Sequence, residues 1–122
     1  MICKRGDIVL LPFPYTDQSG SKRRPVLILS SDDYNMRRAD IIVAPITSNL
    51  STGQADDIPI TNWSAAGLLK PSVVKGILGT VKQTLVVRVM GRLSSADIQN
   101  VEQMFANALG FVVIASPKSS TP

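Results

Sequence analysis

The feature that most limits the fold of this chain is the order of its apolar segments. Several short β-prone runs come first and one amphipathic helical stretch comes last. The runs are Ile8–Phe13, Val26–Leu29, Ile41–Ile46, a short Ile58–Ile60 limited by Pro59, Val73–Ile77 and Leu85–Met90. Each is bounded by Gly, Pro, Ser, Asn or Asp, the residues that break strands and make turns. From Ser94 the pattern changes. Apolar residues fall at Ile98, Val101, Met104, Phe105, Ala108 and Leu109, one face of an α-helix, with Ser94 placed to cap its start and Gly110 to end it. Without alternating strand–helix units a doubly wound sheet is excluded. The expected fold is mainly β, a small curled antiparallel sheet of about six or seven strands with a C-terminal helix packed on it.

Within that frame, Val26–Leu29 is continuous and apolar, which suits a central strand buried on both faces. Pro12 and Pro14 place the end of the first strand at a sheet edge or bend. Ser31–Arg38 reads as a polar turn, and Gly76 and Gly79 hint at a bulge or a close backbone approach. Phe111–Ala115 is expected to add a short extended piece. The 122 residues suit one domain, taken as 1–115, with a Ser/Pro/Lys-rich tail at 116–122 expected to fray.

Composition removes several functions. There is no histidine, so the usual acid and base of a ribonuclease are missing. The single cysteine, Cys3, has neither a disulfide partner nor a histidine to activate it, and reads as inert in a reducing cytoplasm. No apolar run approaches the roughly 20 residues of a membrane span. The expected location is cytoplasmic, with no membrane partner. The net charge of +4 permits a polyanion partner or an acidic protein. Aromatics at 5% are sparse for a module that binds single strands by stacking. Trp63, the only tryptophan, is read as a core or interface residue ahead of a stacking platform. Asp56 and Asp57 have no metal-ligand set around them and read as loop charge.

Positive charge concentrates where the second strand opens, at Lys22, Arg23 and Arg24, just before Pro25. A guanidinium there suits bidentate contact with a phosphate. On residues alone, the favoured reading of Arg24 is a solvated strand end and of Thr47 a hydroxyl bonded into a turn.

Five segments, RGDIVLLPFP, SKRRPVLILS, IIVAPITS, GLLKPSVVKG and MGRLSSADIQNVEQMFANALG, together resemble the MazF/PemK family of endoribonuclease toxins from toxin–antitoxin pairs in type, order and spacing. The resemblance runs from about Lys4 to Leu109. It implies an SH3-like barrel with a C-terminal helix, a homodimer, and metal-independent cleavage of single-stranded RNA by 2′-hydroxyl attack, leaving a 2′,3′-cyclic phosphate and a 5′-hydroxyl. It requires no cofactor. It also implies growth inhibition relieved by an antitoxin with an acidic C-terminal segment, and contact with DNA only through that antitoxin. Arg24 and Thr47 take the catalytic positions. Lys22, Arg23, Asp17, Ser48, Lys75 and Thr80 are the substrate-binding candidates. The segment KGILGTV departs from the family, where this region is often polar. The proton-transfer groups are left open between Asp17, Asp7 and none. The alternatives are a gyrase poison of the CcdB type and a non-catalytic nucleic-acid-binding barrel. The tail SPKSSTP lacks the apolar, aromatic character expected of a gyrase-binding end.

Overall fold

The structure, a computed structural model, describes residues 3–12 and 22–112. The greater part of the Tyr15–Lys22 loop, Asp17 included, the residues of the Phe111–Ala115 piece beyond 112, and the 116–122 tail lie outside the described residues.

Among the described residues, seven strands and two α-helices follow in chain order: β1 (Asp7–Pro12), β2 (Arg23–Ile28), α1 (Asp32–Arg37), β3 (Asp40–Thr47), β4 (Ile58–Pro59), β5 (Val73–Val74), β6 (Gly79–Lys82), β7 (Arg88–Arg92) and α2 (Ser95–Leu109). All described pairings are antiparallel, in the order β4-β5-β3-β2-β1-β7, with β6 also on β3. The eight-residue β3 organises this half-barrel. One edge pairs with β2; the other takes β6 along Asp40–Val43 and β5 along Ile46–Thr47. Pro45 falls in the gap between those two partners, where its missing N–H removes no ladder bond.

Both faces of β1, β2 and β3 are buried, which is why their sequences run apolar without alternating. Ile8, Leu27, Ala44 and Ile46 face a cluster closed by Val101, Met104 and Phe105 of α2. Val9, Leu11, Val26, Ile28, Ile41 and Val43 face a second cluster, which Cys3, Val81 and Val86 complete. Each fully buried Val, Leu or Ile contributes about 1.5–3 kcal/mol.

Helix α2 forms as its spacing predicts. The Ser94 side chain accepts the Asp97 N–H, and Gly110 ends the helix at φ 77°. Elsewhere the structure corrects the reading. Ser31–Arg38 contains α1 rather than a turn: Ser31 caps it, Asp32 and Asp33 occupy its first turn, and Arg37 pairs with Asp33 at 2.9 Å. Val73–Ile77 shortens to Val73–Val74, and Gly79–Lys82 is itself a strand. Leu85–Met90 divides into a 3-10 turn at Gln83–Leu85 and β7. Strand β1 is described to Pro12 and lies inside the sheet, between β2 and β7; Phe13 and Pro14 lie outside the described residues.

One backbone contact positions the site. The turn before Leu68 presses directly on β7. A Cβ added at Gly91 would lie 2.0 Å from the Ala66 carbonyl oxygen, and one at Gly67, where φ is +90°, would lie 2.2 Å from that of Met90. Only glycine fits either position. Asp97, 1% exposed, holds the same turn to α2 by accepting the N–H groups of Thr61 (3.1 Å) and Asn62 (3.0 Å).

Candidate active site

The Arg24–Pro25 step determines where the sheet opens. Leu29 donates its N–H to the Ile42 carbonyl, so residues facing each other across β2 and β3 alternate between bonded and non-bonded pairs from that point. Counted outward, Pro25 occupies a bonded position opposite Ile46 but has no N–H to give. The ladder stops at Val26–Pro45. Beyond it the same register sets Arg24 across from Thr47, on one face, where the strands are free to part.

A cleft of about 330 Å³ lies there. Lys22, Arg23, Arg24, Thr47 and Ser48 line it from the strand ends, with Lys70 and Ser72 opposite. Among the described residues that line it, four are cations and none is a carboxylate. Arg24 and Thr47 are half-buried; Lys22, Arg23, Ser48 and Lys70 are exposed around them. The Thr47 hydroxyl oxygen accepts the Asn49 N–H at 3.0 Å. This is the turn contact that a structural threonine makes, and it leaves the hydroxyl proton free to be donated into the cleft. The side chains of the described residues give the cleft a positive charge, a setting that suits an anion.

Five of the eight expected site residues meet here. Asp17 lies outside the described residues. Thr80 is on β6 opposite Ile42, five residues along β3 from Thr47 or about 17 Å at strand rise. Lys75 is turned inward. Its Nζ is 2.9 Å from Asp57 Oδ2, and both side chains are at most 10% exposed. Asp57 is therefore half of a buried ion pair, and the reading of it as loop charge is corrected. Asp7 sits at the far end of β1 from Leu11, the partner of Arg24, and bonds Arg92 at 3.0 Å. Burial, and then the charge of Asp7, push the Cys3 thiol above its ordinary pKa, so it stays protonated near neutrality. Among the described residues no carboxylate reaches the cleft.

Lys70 and Ser72 were missed, although the sequence carries a signal for them. Lys70-Pro71 repeats the Arg24-Pro25 pattern, a cation and a proline immediately before a strand. The 61–67 turn, held by Asp97 and the two glycines, brings that second cation to face the first group.

The model of the PemK-like, MazF-like toxins of type II toxin–antitoxin systems matches residues 4–109. No curated protein sequence matches significantly. Among solved structures, the Mycobacterium tuberculosis toxin MazF-mt6 is 26% identical with a TM-score of 0.72, over 88% of this chain and 99% of that one. A MazE–MazF complex from Deinococcus radiodurans matches at 21% identity and a TM-score of 0.73, over 92% and 100%. An endoribonuclease bound to its cognate antitoxin from a mycobacterial species matches at 18% and 0.71, over 93% and 98%. At those last two identities the likeness is one of fold. With the family match spanning almost all of the described residues, this chain belongs to the PemK-like, MazF-like toxins of type II toxin–antitoxin systems.

Proposed function

We propose that this toxin is a metal-independent, sequence-selective endoribonuclease that cuts single-stranded RNA and arrests growth until an antitoxin binds it. The observation that carries this reading is the meeting of Arg24 and Thr47 in one cleft lined by cations. The 2′-hydroxyl oxygen attacks the adjacent phosphorus, the bond from phosphorus to the 5′-oxygen breaks, and the proton that the 2′-hydroxyl loses to solvent is matched by one that the leaving 5′-oxygen takes from it. The products are a 2′,3′-cyclic phosphate and a 5′-hydroxyl. Negative charge gathers on the non-bridging oxygens as the new bond forms. Arg24 grips them through its planar donors, and Thr47 donates its free hydroxyl proton to one of them. Lys22, Arg23 and Lys70 hold the flanking phosphates. With no histidine in the chain, rate enhancement rests on charge stabilisation and positioning, which suits a slow enzyme.

The same cleft suits the acidic C-terminal segment of an antitoxin, which would exclude RNA by occupying the phosphate positions. Similar folds solved with MazE or with a cognate antitoxin support that partner. The proposed assembly is a homodimer in the cytoplasm. The test is incubation of purified protein with long mixed RNA in EDTA, with mapping of the product ends. Cleavage at a few fixed sequences with 5′-hydroxyl ends, blocked by one 2′-deoxy substitution at the cut, is expected. Intact RNA, or ends bearing a 5′-phosphate, rejects the reading.

A further inference from the structure

A second cleft, of about 450 Å³, adjoins the cationic one and shares Ser72 with it. Its walls are apolar and planar: half-buried Trp63, packed against the main core, with Pro59 and Pro71 nearby. Asp57 also lines it. Oδ2 of Asp57 is fully engaged, accepting from Lys75 Nζ at 2.9 Å and from the Gln54 N–H at 3.0 Å. Oδ1 is buried and has no hydrogen-bond partner. A buried carboxylate oxygen without a donor is costly, and a ligand that supplies the donor recovers that cost. Ser72 adds to the demand: its hydroxyl proton goes to the Lys70 carbonyl at 2.9 Å, leaving its oxygen to accept. The outer wall is Leu50 and Gly53, both exposed and on the loop that carries Asp57, so it can yield to an incoming group.

We infer that this cleft is a nucleobase subsite that takes guanine from the RNA strand whose phosphate lies in the cationic cleft. A flat aromatic ring fits against Trp63, and single-stranded RNA is commonly read by stacking plus contacts to the base edge. The polar groups ask for donors. Guanine offers three N–H bonds on one edge, from N1 and the N2 amino group. Adenine and cytosine offer one amino group each. The N3–H of uracil is flanked by two carbonyls that the carboxylate repels. The subsite rests on the nuclease reading only for its ligand class.

Trp63 is the only tryptophan in the chain, so tryptophan emission, excited at a wavelength that tyrosine does not absorb, reports this cleft alone. The full-length protein is titrated with the 5′-monophosphates of guanosine, adenosine, cytidine, uridine and inosine, with free tryptophan as the collisional reference. Saturable quenching is expected, with guanosine monophosphate binding at least about fivefold more tightly than uridine monophosphate. Inosine monophosphate, which lacks only the N2 amino group, binds several-fold more weakly than guanosine monophosphate. Asp57→Asn brings the base preference to within about twofold, and the inosine comparison decides the matter if that variant does not fold. Linear quenching like that of free tryptophan, equal affinity for all bases, or inosine matching guanosine overturns the subsite. If RNA is cut in EDTA while Trp63 stays silent, the subsite fails alone. If the predicted base order holds but no RNA is cut, the subsite stands and the nuclease reading fails.

Discussion

Asp97 is the position where a buried contact far from the cleft is expected to govern both stability and activity. Its two oxygens accept the Thr61 and Asn62 N–H groups at 3.1 and 3.0 Å, and it is 1% exposed. Hydrogen bonds to a charged group contribute about 1.5–3 kcal/mol each, so Asp97→Ala is expected to cost about 3–6 kcal/mol. That is a large part of the total stability of a small domain, about 5–15 kcal/mol. The melting temperature falls by about 15 °C, since each kcal/mol shifts it by a few degrees at this size. Asp97→Asn keeps one acceptor and presents an amide N–H to the other donor, so it falls between wild type and alanine. The anchored turn leads to Leu68 and Lys70 of the cleft, so RNA cleavage measured in the cold, where the variants remain folded, declines in the same order. Urea and thermal unfolding followed by circular dichroism measure the first effect. A loss below about 1 kcal/mol for Asp97→Ala, or equal losses for the two variants, refutes the reasoning.

Other expected outcomes follow from single contacts. Lys75→Met leaves the buried Asp57 charge unpaired and costs about 3–5 kcal/mol in urea unfolding, and adding Asp57→Leu recovers most of it. Gly91→Ala drives a Cβ into the Ala66 carbonyl and prevents recovery of folded protein, whereas Gly110→Ala meets no neighbour among the described residues and costs only about 1 kcal/mol for its positive φ. Cys3 resists thiol reagents at pH 8 until urea unfolds the protein. Because the folded state holds the thiol proton more tightly, stability declines as pH rises past the unfolded thiol value of about 8.5.

What the sequence made legible was what burial writes into it. Strands β1, β2 and β3 bury both faces, so their apolar runs are unbroken. Helix α2 buries one stripe and shows its period and both caps. By contrast, α1 buries only Asn35, and that by hydrogen bonds to the Cys3 and Ser30 carbonyls, so no apolar period marks it. Strand β6 is four residues with alternating exposure and a glycine at its start. At the site, Arg24 and Thr47 were visible from the strand boundaries and from the family resemblance. Lys75 was misplaced because a cation next to an expected strand looks the same whether it faces solvent or a buried carboxylate, and its partner lies 18 residues away. The orphaned Asp57 oxygen beside Trp63 has no sequence signature, since it depends on which donors the fold brings near.

The most direct test of the central claim is single-turnover cleavage of one mapped RNA by wild type, Arg24→Ala and Thr47→Val. Arg24→Ala is expected to lower the cleavage rate at saturation by about 10²–10³ with RNA affinity changed only a few-fold, as loss of a donor to the transition-state charge requires. Thr47→Val lowers it by a smaller factor. Cleavage by Arg24→Ala at the wild-type rate contradicts the account, as does a defect that saturating RNA abolishes.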